Sequence, residues 1–293
     1  MHCIRFPSNP LIHPGLDASI GTNINGPSLI RVPDWLPNRL GSYYLYFSHH
    51  KGKFIRLAYA DQLEGPWRIH APGTLQLNQT ICFDHVASPD VHIDDQQRQI
   101  RMYFHGPVAG SSAGHRVNAG QLSFAALSED GLTFRPRPEP LGAPYFRVFK
   151  WQGWTYALGM PGTFYRSQDG LSGFEEGPTQ FTSAMRHSAV LLRGHHLHVF
   201  FSNAGDCPER ILHSTIDLRP DWWEWEPTPS ETLLQPEQAY EGAGLPLTAS
   251  ERGWAPEPEH QLRDPGIFQE NGRTFLLYSI AGEAGIAGAE VIE

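Results

Sequence analysis

Three features are scarce or absent in this sequence: cysteine, positive charge and long apolar runs. The three cysteines, Cys3, Cys82 and Cys207, are too few and too scattered for a disulfide framework or a cysteine-rich zinc site, so we expect free thiols. No run of about 18 apolar residues occurs, and prolines and histidines interrupt the N-terminal segment where a signal peptide would be apolar. We therefore expect a cytoplasmic protein with no membrane partner.

The charge balance is acidic, whereas turn-forming residues are abundant. Lysine and arginine total 22 against 31 aspartates and glutamates, which leaves a formal charge of −9 and argues against a nucleic-acid partner. Hydrophobic residues make up 40% of the chain, enough for a sizeable core, and its 29 glycines and 25 prolines indicate many turns. Helical periodicity is nearly absent, which disfavours helical bundles and Rossmann folds.

One pattern recurs five times: a short apolar strand, an aromatic-rich second strand and a third strand that ends in an Asp turn. The predicted first strands are PSLIRV (27–32), PDVHID (89–94), YFRVFK (145–150), SAVLLR (188–193) and PGIFQE (265–270). The second strands are YYLYFSHH (43–50), IRMYFHG (100–106), TYALGM (155–160), HLHVFFSN (196–203) and TFLLYS (274–279). In four units a Trp- or Phe-bearing segment, such as WWEWEP (222–227), is predicted as an outer strand. Five such units predict an all-β, five-bladed β-propeller that forms a single domain over residues 1–293.

The two ends of the chain are predicted to meet in the fifth unit. That unit ends at Glu293 after its third strand, while HCIRF (2–6) is a β-like segment without a partner. We expect this segment to close the fifth blade, with Ile4 and Phe6 buried, because closure removes an exposed sheet edge. Two long connections, 107–120 and about 228–261, are expected to carry function.

Polar residues cluster at the predicted entrances to the central channel. First strands of propeller blades line that channel, so residues at their starts converge. The residues in question are Asn25, Asp90, Arg147, Arg186, His187, Arg263 and Asp264, with His49, His50, His105 and Asn203 as a second ring and Glu241 from the long connection. Glycosidic bond cleavage needs one protonated and one ionised carboxyl group. We expect Asp90, Glu241, Asp264 and His187 to be catalytic and the other residues to bind the sugar, with Asn25, Asp90, His187 and Asp264 in one pocket.

Each of these assignments has a structural alternative. Asp90 and Asp264 stand next to prolines, where an Asp can simply cap a turn, and Glu241 lies in a polar loop where it can be merely solvated. His49 and His50 lack the partner spacing of a metal site, so no metal and no cofactor is predicted, although a structural ion in the channel stays open. The tryptophan run is predicted to pack between blades.

Several short motifs resemble the five-bladed propeller glycoside hydrolases of family 43 and its relatives in families 32, 62, 117 and 130. The motifs are GPSLIRV followed by YYLYFS, SPDVHI, and RDPGIF followed by FLLYS, and they are spread over most of the chain. The resemblance implies a general base Asp before Pro in the first blade, an Asp in an A-P-D-V motif that tunes the acid, and a Glu in an E-G-P motif as the acid. Asp90, in SPDV, matches the second position.

The other two family positions do not match. Asn25 and Gly26 stand where the base is expected, and neither can accept a proton from water at neutral pH. His187 stands near the position of the acid, and family 117 makes a His acid conceivable. The letters EGP recur at 176–178, but Glu176 is predicted in an outer connection and is not assigned the role. A hydrolase on this scaffold must therefore have relocated its catalytic pair.

These observations favour a glycoside hydrolase-like enzyme that cleaves a terminal sugar from a glycoside or oligosaccharide in the channel. The alternatives are a non-hydrolytic sugar-binding propeller and a protein-interaction propeller. The predicted partner is a small carbohydrate, and the oligomeric state is not predicted. In the enzyme, the two carboxyl groups would lie about 5–5.5 Å apart for retention or about 6.5–9.5 Å apart for inversion, and the resemblance favours inversion.

Overall fold

Five antiparallel sheets form a ring in the computed structural model, which describes residues 1–109 and 120–293. Each sheet is a blade, so the predicted all-β, five-bladed propeller is confirmed. Residues from the first strand of every blade, among them Leu29, Val91, Val148, Val190 and Ile267, line one cavity along the central channel.

The strands are numbered β1–β21 in chain order, and β1 (His2–Arg5) belongs to the last blade. Blade I contains β2 (Asn25–Arg31), β3 (Tyr43–Ser48), β4 (Phe54–Ala60) and β5 (Arg68–Ile69), with β6 (Leu75–Gln76) also paired to β4. Blade II contains β7 (Ala87–Asp94), β8 (Gln99–Pro107), β9 (Gln121–Ser128) and β10 (Arg135–Pro136). Blade III contains β11 (Arg147–Trp151), β12 (Trp154–Gly159), β13 (Thr163–Ser167) and β14 (Glu175–Thr179). Blade IV contains β15 (Met185–Arg193), β16 (His196–Asn203), β17 (Ile211–Asp217) and β18 (Glu231–Leu234). Blade V contains β19 (Arg263–Glu270), β20 (Arg273–Ile280), β21 (Gly285–Ile292) and β1.

Helical structure in the described residues is limited to short 3-10 turns. These are Ala18–Ile20, Leu77–Gln79, Trp222–Glu224 and Ala239–Glu241. No helix in the described part of the chain has the length and apolar character needed to cross a membrane.

The N-terminal strand closes blade V, as predicted. Strand β1 pairs antiparallel with β21, with His2 opposite Ile292 and Arg5 opposite Ala289. Phe6 is buried, and its ring centroid lies 5.8 Å from that of Phe275. The expected burial of Ile4 is wrong, because 55% of this residue is exposed. Side chains alternate along a strand, and Cys3 and Arg5 take the inward positions of β1.

The blades are held together by apolar clusters that neighbouring blades share. Five such clusters occur among the described residues, one at each interface around the ring. At the interface of blades III and IV, Trp225 packs on Tyr156 and Phe164, with ring centroids 4.9 and 5.2 Å away. The tryptophan run therefore packs between blades as expected. Its predicted outer strand is wrong, because Asp221 caps a 3-10 turn there and the outer strand is β18.

Candidate active site

The first strands of four blades begin with a β-bulge at the same place. Bulges commonly re-aim side chains beside functional sites. The pairing register to the second strand shifts between Asn25 and Ser28, Ala87 and Asp90, Met185 and Ser188, and Arg263 and Gly266. The residues inside these shifts are Gly26 and Pro27, Ser88 and Pro89, Arg186 and His187, and Asp264 and Pro265. The register thus places Asp264 of blade V where blade I has Gly26.

Backbone strain is concentrated at the same places. Ser88, Tyr145 and Asp264 have φ values of +48°, +65° and +45°, a region that residues other than glycine adopt only at a cost. Gly26 takes the same conformation, with φ +61°. Tyr145 lies two residues before β11, so blade III contributes to the same ring. Strain of about 1–3 kcal/mol per residue persists only where surrounding contacts hold the backbone, and it is frequent at functional sites.

These residues line a polar pocket at the bulged ends of the first strands. The pocket has a cavity volume of about 70 Å³ and is partly open to solvent. Its titratable lining comprises four histidines, two carboxylates, two arginines and one tyrosine: His50, His85, His105, His187, Asp264, Glu283, Arg186, Arg252 and Tyr145.

Three of the lining side chains come from three blades and contact one another. The Nδ1 atom of His187 lies 2.9 Å from Oδ1 of Asp264, although off the direction of a straight N–H hydrogen bond. Its Nε2 atom lies 3.2 Å from the Tyr145 hydroxyl. Ser279 donates a hydrogen bond of 3.1 Å to the other carboxylate oxygen of Asp264. All three contacting residues are buried.

The surroundings fix the protonation states of this group. Burial alone would raise the pKa of Asp264, but His187 and the nearby arginines outweigh it and hold the pKa well below its usual range. Burial lowers the pKa of His187, with Asp264 opposing the shift. Burial and the charge of Asp264 raise the pKa of Tyr145. At neutral pH the pocket therefore holds an ionised Asp264, a neutral His187 and a protonated Tyr145.

The second pocket carboxylate, Glu283, was not found by sequence reasoning. It lies in the hairpin between β20 and β21 and accepts hydrogen bonds from the side chains of Asn23 (2.7 Å) and Asn25 (3.2 Å). Nδ1 of His50 lies 3.4 Å from it, and the hydrogen bonding and charge of His50 lower its pKa against the effect of burial. The one available signal was a glutamate in a turn otherwise rich in alanine and glycine.

A buried ionic network supports the pocket from behind. Glu209 is fully buried and lies 3.3 Å from Nη1 of Arg186 and 3.2 Å from Nε of Arg263. Arg263 also lies 3.3 Å from Glu283. A buried charge is tolerated only when it is paired, and here each carboxylate contacts at least one arginine. The network therefore fixes the position of Arg186 and Glu283 in the pocket wall.

The structure brings some of the predicted site residues together and separates others. Those that line the pocket are Asn25, His50, His105, Arg186, His187 and Asp264. Those that do not are His49, Asp90, Arg147, Asn203, Glu241 and Arg263. The expectation of one pocket shared by Asn25, Asp90, His187 and Asp264 is therefore met by three of the four.

Asp90 faces a different cavity, farther along the channel, together with Arg147. It pairs directly with Tyr103 of β8, beyond the bulge, so its side chain points away from the pocket. One carboxylate oxygen accepts a hydrogen bond of 2.8 Å from the Val148 amide and lies 2.8 Å from Nε2 of His92.

Glu241 lies away from the pocket, next to the N-terminal strand. Its carboxylate accepts hydrogen bonds from Nε and Nη2 of Arg5, at 2.8 and 3.0 Å, and from the Tyr278 hydroxyl at 2.9 Å. The backbone amides of Glu237 and Gln238 donate two more. Two of Asp90, Glu241 and Asp264 were expected to face each other across a sugar-sized gap, but Asp264 lines the pocket, Asp90 the channel cavity, and Glu241 joins β1 to the connection between blades IV and V.

The long connection between blades IV and V reaches the pocket. Arg252 and Gly253 line it, and the partly exposed Trp254 stands at its mouth, with its ring centroid 6.4 Å from that of His50. The Lys51 ammonium lies 4.8 Å from the Trp254 ring. In the other long connection, 107–120, residues 110–119 lie outside the described residues. Gln121, the first residue of β9 after this connection, lines the pocket.

The tightest group of metal-ligand side chains in residues 1–109 and 120–293 lies elsewhere. His195, His196 and Asp217 place ligand atoms within 4.8 Å of one another. His195 and His196 lie at the hairpin between β15 and β16, and Asp217, opposite His196, ends β17, at the other end of the blade from the pocket. Arg219 contacts both carboxylate oxygens of Asp217, so this carboxylate is already paired.

No model of a known protein family matches the chain. The uncharacterized protein R118 of Acanthamoeba polyphaga mimivirus is 36% identical over 325 aligned residues, which cover 98% of this chain and 90% of the viral protein. The chain belongs to the family of that viral protein. The name of the viral protein states no activity.

Solved structures with the same fold include several glycosidases. A family-43 β-xylosidase/α-arabinofuranosidase from a compost microbial metagenome has a TM-score of 0.60 at 14% identity, covering 93% of this chain and 92% of its own. A GH43_1 enzyme from Xanthomonas citri has a TM-score of 0.62 at 12% identity, covering 93% and 88%. A candidate glycosidase from Bacteroides thetaiotaomicron has a TM-score of 0.68 at 12% identity, covering 98% and 96%. The chain therefore has the same fold as these glycosidases, the five-bladed propeller that the motifs implied.

Proposed function

We propose that the protein is a carbohydrate-active enzyme that cleaves a terminal sugar from a glycoside or oligosaccharide in the pocket. The observation that carries this proposal is the pairing of two buried, ionised carboxylates, Asp264 and Glu283, with the neutral His187 in one pocket of a glycosidase-type propeller.

The charges of the pocket suit the transition state of glycosidic bond cleavage. That transition state resembles an oxocarbenium ion, so positive charge develops at the anomeric carbon and ring oxygen. Fixed anionic groups stabilise such charge most when they are already oriented and shielded from water. Glu283 is held by two amide groups and Asp264 by a hydroxyl, so neither needs to reorient during the reaction.

The pocket walls suit a sugar ligand. Amide, imidazole and guanidinium groups of Asn25, His85, Gln121 and Arg252 supply hydrogen-bonding partners for sugar hydroxyls, and Trp254 offers an aromatic face at the mouth. Structural relatives from the compost metagenome and from Xanthomonas citri were crystallised with xylotriose, which supports a carbohydrate ligand here.

Asp264 is the carboxylate on which we expect turnover to depend. The family-43 base precedes a proline in blade I, where this chain has Gly26 before Pro27. The Asp-Pro pair recurs in blade V as Asp264 and Pro265, inside the matching bulge. The relocated carboxylate therefore reaches the same pocket from another blade.

The proposal is tested by turnover of a panel of 4-nitrophenyl α- and β-glycosides of pentoses and hexoses. Asp264→Asn keeps the shape and removes the charge, so we expect it to lower kcat/KM for a cleaved glycoside by about 10²-fold or more. Asp90→Asn is measured in parallel, because an equal or larger loss from that variant would move the chemistry to the channel cavity. Asp61→Asn, an exposed surface change, controls for handling of the variants.

A second candidate, sugar binding without cleavage, is favoured by one observation. Gly26 occupies the position of the family base, and Glu283 is already saturated by hydrogen-bond donors. This candidate predicts that a glycoside binds in calorimetry, that no member of the panel is cleaved, and that Asp264→Asn binds as tightly as the wild type.

A further inference from the structure

We propose that Tyr145, His187 and Asp264 form a nucleophilic triad in which the Tyr145 hydroxyl attacks the anomeric carbon of the bound sugar. The inference rests on the proposed function and deepens it: the reacting group is a tyrosine, and the glycoside is cleaved with retention through a covalent intermediate. His187 is the base, and Asp264 is a positioning residue that acts through His187.

The geometry of the three side chains is that of a nucleophile, a base and an orienting carboxylate. Such a site is recognised by contacts from nucleophile to base and from base to orienting group, whatever the fold. The two contacts are 3.2 Å from the Tyr145 hydroxyl to Nε2 of His187 and 2.9 Å from Nδ1 to Asp264. Such contacts are commonly loose in ligand-free enzymes and tighten when substrate binds.

The histidine tautomer makes Tyr145 a nucleophile rather than an acid. Nδ1 of His187 lies 2.9 Å from a carboxylate oxygen of the ionised Asp264, so we assign the ring proton to Nδ1 and a free lone pair to Nε2. The Tyr145 hydroxyl therefore donates its proton towards Nε2. Its oxygen lone pairs are left for other partners, and the Ser88 side chain acts to lower the pKa of Tyr145 against the larger effect of burial. An acid would instead have to direct its proton at the substrate.

The phenol is held in place by its neighbours. The Tyr145 ring packs on the rings of His105 and His187, with centroid distances of 4.1 and 4.8 Å. The backbone at Tyr145 is in the left-handed region, with φ +65°, which a bulky aromatic residue rarely adopts. An aromatic side chain that only filled the channel would not require this backbone, whereas a hydroxyl aimed at a fixed point does.

The protonation states agree with this assignment. Burial and Asp264 raise the pKa of Tyr145, so its hydroxyl is protonated at rest and needs an adjacent base to react. Burial lowers the pKa of His187, so the base is neutral and ready at neutral pH. His105 also stays neutral, because burial lowers its pKa well below the usual value.

The reaction balances in two steps. In the first, the Tyr145 oxygen forms a bond to the anomeric carbon, its proton passes to Nε2 of His187, and the leaving oxygen departs from the opposite face of that carbon and takes a proton from solvent water. In the second, a water molecule attacks the carbon from that opposite face and gives a proton back to solvent, and the tyrosyl oxygen leaves and regains its proton from the His187 imidazolium. Two displacements give net retention, and ionised Asp264 stabilises the imidazolium in both steps.

The triad is tested without a glycoside by reaction with methanesulfonyl fluoride. An activated tyrosine oxygen forms a bond to sulfur and expels fluoride, which intact mass and peptide mapping detect. We expect Tyr145, although buried, to react at least about 10-fold faster than the control Tyr59, which is more exposed and lies outside the pocket, so that better access cannot explain the difference. His187→Gln and Asp264→Asn should remove this difference.

Two results of the labelling would overturn the triad: modification of Tyr145 no faster than that of Tyr59, or an unchanged rate in a folded His187→Gln. If neither variant folds, the wild-type comparison of the two tyrosines still decides the outcome.

Turnover supplies an independent readout. Tyr145→Phe removes one oxygen atom, and we expect kcat for a cleaved glycoside to fall by at least about 10²-fold while calorimetry shows sugar binding retained. Product released with the starting anomeric configuration, followed by NMR, supports the triad. Inverted product, or full turnover by Tyr145→Phe, overturns it and leaves the proposed function standing. A wild type that cleaves no glycoside overturns the proposed function, whatever the labelling shows.

Discussion

The contact between Arg5 and Glu241 is predicted to be a main support of the blade closure. Arg5 lies on β1 and Glu241 lies in the connection between blades IV and V, and two hydrogen bonds of 2.8 and 3.0 Å join them. The Glu241 side chain is fully buried, and that of Arg5 is 17% exposed. Arg5→Met keeps the aliphatic stem and the pairing of β1, and it leaves the Glu241 charge buried without its cationic partner.

The expected loss of stability depends on the hydrogen-bond donors that Glu241 retains in Arg5→Met. Removing one partner of a buried ion pair costs about 3–5 kcal/mol. Here the carboxylate keeps the Tyr278 hydroxyl and two backbone amides as donors, so we expect about 2–3 kcal/mol. At about 2–4 °C per kcal/mol, the melting temperature should fall by about 4–12 °C.

The assay is urea and thermal denaturation of the two single variants and the double variant. Glu241→Gln removes the buried charge, so Arg5→Met should cost less in that background, and the double-mutant cycle should give a coupling of about 1–2 kcal/mol. A coupling below about 0.5 kcal/mol would refute the reasoning, because the two side chains would then act independently. Lost turnover in a fully folded Glu241→Gln would instead support the catalytic role expected from the sequence.

Three further changes have defined outcomes. Gly26→Ala should destabilise the protein by about 1–2 kcal/mol in urea denaturation, because φ is +61° and the new Cβ would lie 3.2 Å from Cα of Ser88. Burial and neighbouring His213 lower the pKa of His198 to about 4. An unfolded histidine titrates at about pH 6.5, so protonation below that pH favours the unfolded chain. The melting temperature should therefore fall as the pH is lowered from about 6.5 to about 4, and it should fall by more in the wild type than in His198→Gln. Trp254→Ala should weaken sugar binding by about 0.5–1.5 kcal/mol in calorimetry while leaving the melting temperature unchanged, if the exposed ring stacks on the sugar.

The blades could be predicted from the sequence because strand patterning is local. All five predicted first and second strands are present, with ends shifted by up to three residues. The closure by β1 was predicted from an unpaired strand at one end of the chain and a missing strand at the other. The outer strand predicted at the tryptophan run is wrong because aromatic residues are typical of strands, whereas Asp221 caps a 3-10 turn there.

The site was only partly predictable because register is not visible in a sequence. Asp90 follows its proline and Asp264 precedes its own, a difference of two positions that decides which side of the bulge each residue occupies. That difference sends Asp264 into the pocket and Asp90 into the channel. Glu283 lies in a hairpin turn and not at the start of a first strand, so the strand pattern does not indicate that it faces the pocket. The partner of Glu241, Arg5, is 236 residues away along the chain.

The most direct test of the central claim is a crystal structure of the protein with the tightest-binding glycoside of the panel. The proposed function predicts a sugar ring in the pocket formed by the bulged strand starts, on the side of Asp264 and Glu283 and with its outer edge towards Trp254. A sugar bound in the channel cavity beside Asp90, or on any surface away from this pocket, would contradict the claim.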